Sequence, residues 1–189
     1  MRFTRSLPAQ HAFSFAYTIN FDYLTVMSYF AMLPSLLCGT LLAAEDLRTR
    51  RVPRIWIAFG MVTQCAVFVI YGASHGRPWG FLVALGYAAF AALLQWLLSV
   101  LRPGSLGFGD VTCAALVGQA VGWLGLMVFL SWWLLMGLIG LLWIGGWHIC
   151  SRFGRGTSSA RTPSIRAPFV PVIVISGVCA VLLPGLLIF

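Results

Sequence analysis

The chain has 189 residues, 60% of them hydrophobic and 8% charged, with a mean hydropathy of +0.94. That is too little polar surface to cover a soluble globule, and the apolar runs lack the polar–apolar alternation of barrel strands, which leaves an all-α, polytopic integral membrane protein. The net charge of +8 comes from arginines alone; they sit in short gaps between apolar runs, where the positive-inside rule accounts for them without a nucleic-acid partner.

Residues 1–21 read as an aromatic-rich tail carrying Arg2 and Arg5 with no apolar run close behind, a poor cleavable signal peptide. Residues 22–189 read as one membrane domain, a bundle of about six transmembrane helices with spans near 21–44, 55–73, 79–101, 110–122, 124–149 and 168–189. The first holds Pro34, which neighbouring helices can tolerate. After it comes Glu45-Asp46-Leu47-Arg48-Thr49-Arg50-Arg51-Val52-Pro53-Arg54, the most charged segment. His75-Gly76-Arg77-Pro78 separates the second span from the third, and Arg102-Pro103-Gly104 stops the third. From Val111 to Ile149 there is no Asp, Glu, Lys or Arg, a length about twice what a ~30 Å bilayer core needs at ~1.5 Å per residue. It divides into two helices, with the break expected at Gly118-Gln119-Ala120-Val121-Gly122-Trp123. A loop at 151–167, rich in Gly, Ser, Thr and Arg, precedes the last span.

Cys38, Cys65, Cys113, Cys150 and Cys179 form no C-x-x-C pair and read as small hydrophobes. His11, His75 and His148 are too scattered for a metal site, and no cofactor is implied. Trp56, Trp79, Trp123 and Trp147 fall near span ends, as interfacial anchors do, whereas Trp96, Trp132, Trp133 and Trp143 fall deeper, as packing residues. Gly118 and Gly122 form a G-x-x-x-G that reads as ordinary close helix packing rather than a dimer face.

Charge orients the spans. With the 45–54 gap on the cytoplasmic side, that gap, the 102–110 gap and the 151–167 loop hold nine arginines, against Arg2, Arg5 and Arg77 on the other side. Asp46 then ends one helix and Asp110 begins another at the same cytoplasmic face. Only four acidic residues exist, Asp22, Glu45, Asp46 and Asp110, and an acid beside a long apolar run marks a candidate functional site. Two carboxylates at one level point to aspartyl-protease chemistry: the pair shares a proton, one member activates water, and the other polarises the scissile carbonyl. The helix N-terminus favours charge on Asp110, but such a pair titrates as a unit, so the assignment of base and acid stays open. Each acid also has a plainer reading, Asp46 as a helix-end acid paired with Arg48 or Arg50 and Asp110 as an N-cap. Glu45, about 100° around the helix from Asp46, reads as an interfacial acid.

Asp46-Leu47-Arg48-Thr49-Arg50-Arg51-Val52-Pro53 resembles the D-x-x-x-x-x-[IV]-P motif of type IV prepilin peptidases, and Gly107-Phe108-Gly109-Asp110-Val111 resembles their G-x-G-D-V motif. Arg166-Ala167-Pro168-Phe169-Val170-Pro171 is similar to the Pro-Phe-x-Pro segment that opens their last helix, so the resemblance runs over about residues 25–185. It implies a GxGD-type membrane aspartic endopeptidase of the bacterial inner membrane that removes the leader of prepilins or pseudopilins at the cytoplasmic face. Asp46 and Asp110 would be the catalytic pair, and Gly107, Phe108, Gly109, Pro53, Pro168 and Pro171 would shape the site. Membrane lipid and pilus or secretion assembly components are the further partners implied. Arg54 and Thr112 depart from the family's usual Asn and Lys. The paired C-x-x-C zinc motifs of the bifunctional members are missing, so cleavage without N-methylation is expected, as in the short peptidases associated with Flp-type pili. A presenilin-like or signal-peptide-peptidase-like protease also uses G-x-G-D, but places its first Asp in a Tyr-Asp pair; a non-enzymatic membrane component is the third reading.

Overall fold

A backbone inside a bilayer has no water to satisfy it and has to bond within its own segment, so the apolar runs fold as helices. In a computed structural model that describes residues 29–49, 53–101, 107–153 and 168–187, they form α1 (Leu33–Thr49), α2 (Arg54–Ser74), α3 (Gly80–Leu101), α4 (Phe108–Trp123), α5 (Leu126–Phe153) and α6 (Val170–Leu187). No strand occurs among the described residues, and α2, α3 and the Leu126–Gly146 part of α5 are each long and apolar enough to cross a membrane. The protein is an all-α membrane bundle. The tail 1–21, Arg50, Arg51, Arg102-Pro103-Gly104 and the loop from 154 to 167, which carry much of the charge argument, lie outside the described residues.

Helix α4 is the centre of the bundle and packs against all five others. Every residue from Cys113 to Trp123 is buried, which suits a helix that is apolar on all sides and has no face to give to lipid. Its glycines serve that packing. A side chain at Gly118 would meet Ala91 of α3, one at Gly122 would overlap Tyr87, and Gly177 of α6 lies against Val117. The expected break at 118–123 is therefore displaced. The helix runs through both glycines to Trp123, and the chain reverses at Leu124–Gly125, where Gly125 takes φ +105°, a conformation open to glycine at little cost.

Helix α1 buries Ser35, Gly39, Leu42 and Asp46, a stripe at helical spacing that turns Asp46 toward the bundle while Leu47 and Arg48 face outward. It continues past Ala44 to Thr49. At its other end the chain is not a continuous helix: Ala31 and Met32 form a turn, and Pro34 occupies the first turn of α1, where its missing N–H and fixed φ are least costly. A residue of α2 repairs the interruption. Gln64, fully buried, donates from Nε2 to the Ala31 carbonyl at 2.6 Å and accepts at Oε1 from the Ser35 N–H at 2.9 Å. Those two backbone groups are the pair that an unbroken helix would join directly.

The tryptophans divide differently from the expectation. Trp123 is 6% exposed and stacks on Phe68 with ring centroids 4.3 Å apart, so it is a core residue. Trp96 is 51% exposed, on the outside of α3. Trp132 is buried and donates to the Ile173 carbonyl at 3.1 Å, the packing role expected of it.

Candidate active site

The polypeptide brings the two acids to one end of the bundle. Asp46 lies in the last turn of α1 and Asp110 in the first turn of α4, and α1 packs on α4. Asp46 is 7% exposed and Asp110 is partly buried.

Helix α4 starts with Gly107 as N-cap, so Asp110 is the third helical residue rather than the cap itself. Its Oδ2 accepts from the Gly107 N–H at 2.9 Å, while its own N–H donates to the Gly107 carbonyl at 3.0 Å. This is the acid's half of a capping box, and a glycine cap has no side chain with which to form the other half. Gly107 thus aims the carboxylate through backbone contacts. The Thr112 hydroxyl donates to the Gly109 carbonyl at 3.0 Å, tying the residue after the motif back into it.

Phe108 projects from this helix start, and the Arg54 guanidinium lies over its ring at 5.2 Å from the centroid. The departure at Arg54 therefore has a place: it bridges the start of α2 to the G-x-G-D turn. Pro53 caps α2 in extended backbone at φ −68° and ψ 114°. Pro168 and Pro171 are buried where the chain enters α6; the Pro168 carbonyl accepts from Trp143 Nε1 at 3.0 Å, which ties it to α5, and Pro171 takes the second position of α6.

On the adjoining face of α1 the structure holds a cavity of about 360 Å3 between α1 and α2, lined by Cys38, Leu41, Leu42, Glu45, Pro53 and Trp56. The Cys38 thiol donates to the Trp56 carbonyl at 3.2 Å across it. Sequence reasoning took Cys38 as a small hydrophobe and Trp56 as an anchor, and missed the cavity. The available signal was spacing: residues 38, 41, 42 and 45 share one helix face that ends beside Asp46. Among the described residues no three or more His, Cys, Asp or Glu come together as metal ligands could, and His75 sits at the C-cap of α2, at the opposite end from the acids.

These features define a polytopic helical membrane protein with a convergent acid pair at one end of its bundle. Its residues 23–142, more than half of the chain, match the model of the type IV leader peptidase family. The chain belongs to that family of proteases. The match takes in Asp46 and Asp110 and ends before Pro168. No curated protein and no solved structure matches the chain.

Proposed function

We propose that the protein is an aspartic endopeptidase that removes the leader of prepilins or pseudopilins. The observation that carries this reading is the placement of Asp46 and Asp110 at one end of the bundle by two different helices that pack on each other. Two close carboxyls hold one proton between them. The ionised member takes a proton from water as that water attacks the scissile carbonyl, and the protonated member hydrogen-bonds and then protonates the carbonyl oxygen. Collapse of the resulting tetrahedral diol, with a proton delivered to the leaving amine, releases the leader and restores the shared proton. Gly107 positions Asp110 in this scheme, and Phe108 and Gly109 shape the approach.

The reading extends to location and partners. By sequence, nine of the arginines fall in the 45–54, 102–110 and 151–167 gaps and three elsewhere, a bias that favours a cytoplasmic site in the bacterial inner membrane. Pilus or secretion assembly components would meet the processed product there. The 189 residues contain no C-x-x-C pair, so the reaction assigned to them is cleavage and not N-methylation.

The test is co-expression with a prepilin, following leader loss on a gel. Asp46→Asn and Asp110→Asn, which keep side-chain shape, should each lower cleavage by about 10²–10⁴-fold or more while leaving insertion and thermal stability near the parent. Cleavage that survives in either variant removes the pair from the mechanism.

A further inference from the structure

Arg54 is the first residue of α2 and Phe108 the first of α4. The two helices run parallel: Arg54 meets Phe108, Gly60 lies against Leu116, and Phe68 stacks on Trp123. The last two of these contacts belong to the core. The first does not. Phe108 is 58% exposed and Gly107 is exposed beside it, while the buried run of α4 starts at Val111. Asp110 thus stands at the boundary between the packed helix and an unpacked first turn. Such turns fray, because their N–H groups lack intrahelical partners.

Besides the bond from Gly107, two contacts restrain this turn. From within α4, the Thr112 hydroxyl donates to the carbonyls of Phe108 and Gly109 at 3.2 and 3.0 Å. From α2, the Arg54 guanidinium covers the Phe108 ring at 5.2 Å from its centroid. Arg54 is poorly placed for α2 itself: it is a cation at a helix start whose first turn holds no acid, where the macrodipole opposes it. Breaks of a local rule are expected at functional or strained sites, and here the break puts a cation over the turn that carries Asp110.

We propose that Arg54 is a positioning residue for the reaction. Through Phe108 it holds the first turn of α4, and so the Asp110 carboxylate, in register with the packed α1 and α2, of which α1 carries Asp46. In this role it touches no reacting atom and acts by geometry. The inference rests on the leader-peptidase reading for its effect on rate, though not for the clasp itself.

Two measurements test it, each with Arg77→Gln as control, since Arg77 lies over Trp123 in a contact of the same kind beyond the other end of α2. Backbone hydrogen exchange of residues 107–112 in lipid nanodiscs needs no substrate. Arg54→Gln and Phe108→Leu should each speed it by about 2- to 5-fold, the equilibrium worth of one exposed cation–π contact, and Arg77→Gln should leave it unchanged. In cleavage of a prepilin, Arg54→Gln and Phe108→Leu should each lower kcat by about 10- to 100-fold, as a misplacement approaching ~1 Å does, with KM within about 3-fold of the parent. The double variant should be no slower than the worse single one, because both substitutions remove the same contact. Arg54→Lys should recover kcat in part and Phe108→Tyr nearly in full, since each keeps a cation over a ring; Arg77→Gln should keep the parent kcat. Unchanged exchange at 107–112 would overturn the clasp. A loss of kcat in Arg54→Gln that spares Phe108→Leu would make Arg54 an electrostatic residue, and a rise in KM alone would make it a substrate contact; either overturns the positioning role while leaving the protease standing. Failure of the parent to cleave any prepilin would defeat the protease reading instead, and the exchange rates would still decide the clasp.

Discussion

Gln64 offers the sharpest test of how this bundle is held together. Its amide spans the gap between the Ala31 carbonyl and the Ser35 N–H at 2.6 and 2.9 Å, a gap that exists because the chain turns at Ala31–Met32 just before Pro34. Gln64→Leu keeps roughly the volume and removes both bonds. Two buried backbone groups left unsatisfied cost ~1–3 kcal/mol each, which sets a ceiling near ~6 kcal/mol. Interhelical hydrogen bonds in membranes average only ~0.6 kcal/mol, because the separated helices find other partners, which sets a floor near ~1 kcal/mol. The backbone case lies above that floor. Ala31 and Ser35 could pair with one another only if the turn became helical, and the Pro34 ring opposes that by clashing with the carbonyl of residue 30. We expect ~2–3 kcal/mol, read by reversible unfolding in mixed micelles. A double-mutant cycle isolates the cause: in a Pro34→Ala background the helix can close its own bond, so Gln64→Leu should cost less there. A loss below ~0.5 kcal/mol for Gln64→Leu alone, or an equal loss in both backgrounds, would refute the clip, since neither fits two orphaned backbone groups.

Other substitutions separate packing from conformation. Gly122→Ala would drive a methyl into Tyr87 and should cost ~1–3 kcal/mol as overpacking; Gly86→Ala, with open space around it, should stabilise by ~0.5–1 kcal/mol in the same thermal assay. Arg54→Ala and Phe108→Ala should show a coupling of ~0.5–1 kcal/mol in a double-mutant cycle, the worth of one exposed cation–π contact, and Arg54→Lys should retain part of it.

What was legible in the sequence was whatever depends on composition or on near neighbours. Membrane class follows from apolar content. Asp46 lies on the buried face because it continues the stripe of Ser35, Gly39 and Leu42, and Asp110 lies at a helix start because Gly107 caps the helix there. Glycine itself was the ambiguous signal, since it permits both a turn and a close helix approach. At Gly118 and Gly122 the second use prevails because α3 presents Ala91 and Tyr87 to them, while the turn falls to Gly125 two residues beyond the expected segment. The effect of Pro34 depends on Gln64, some thirty positions away. Trp123 looked like an interfacial ring, yet Phe68, Tyr71 and Arg77 enclose it. The cavity along α1 was illegible for the same reason, because Pro53 and Trp56 complete its wall from the start of α2.

The short central helix connects architecture to chemistry. Sixteen residues of α4 reach ~24 Å, ~6 Å less than a ~30 Å bilayer core. The shortfall has to be filled by non-helical backbone, which is stable at that depth only when covered by protein or facing water. At the Trp123 end it is covered: Leu124 and Gly125 bond back to Val121 and Gly122. At the Asp110 end Gly107 and Phe108 are exposed. An uncovered helix start is where water could stand beside a carboxylate without a channel through the bundle. The same shortness that makes α4 a buried core helix would suit the proposed hydrolytic site at its N-terminus, the end at which α1 carries Asp46.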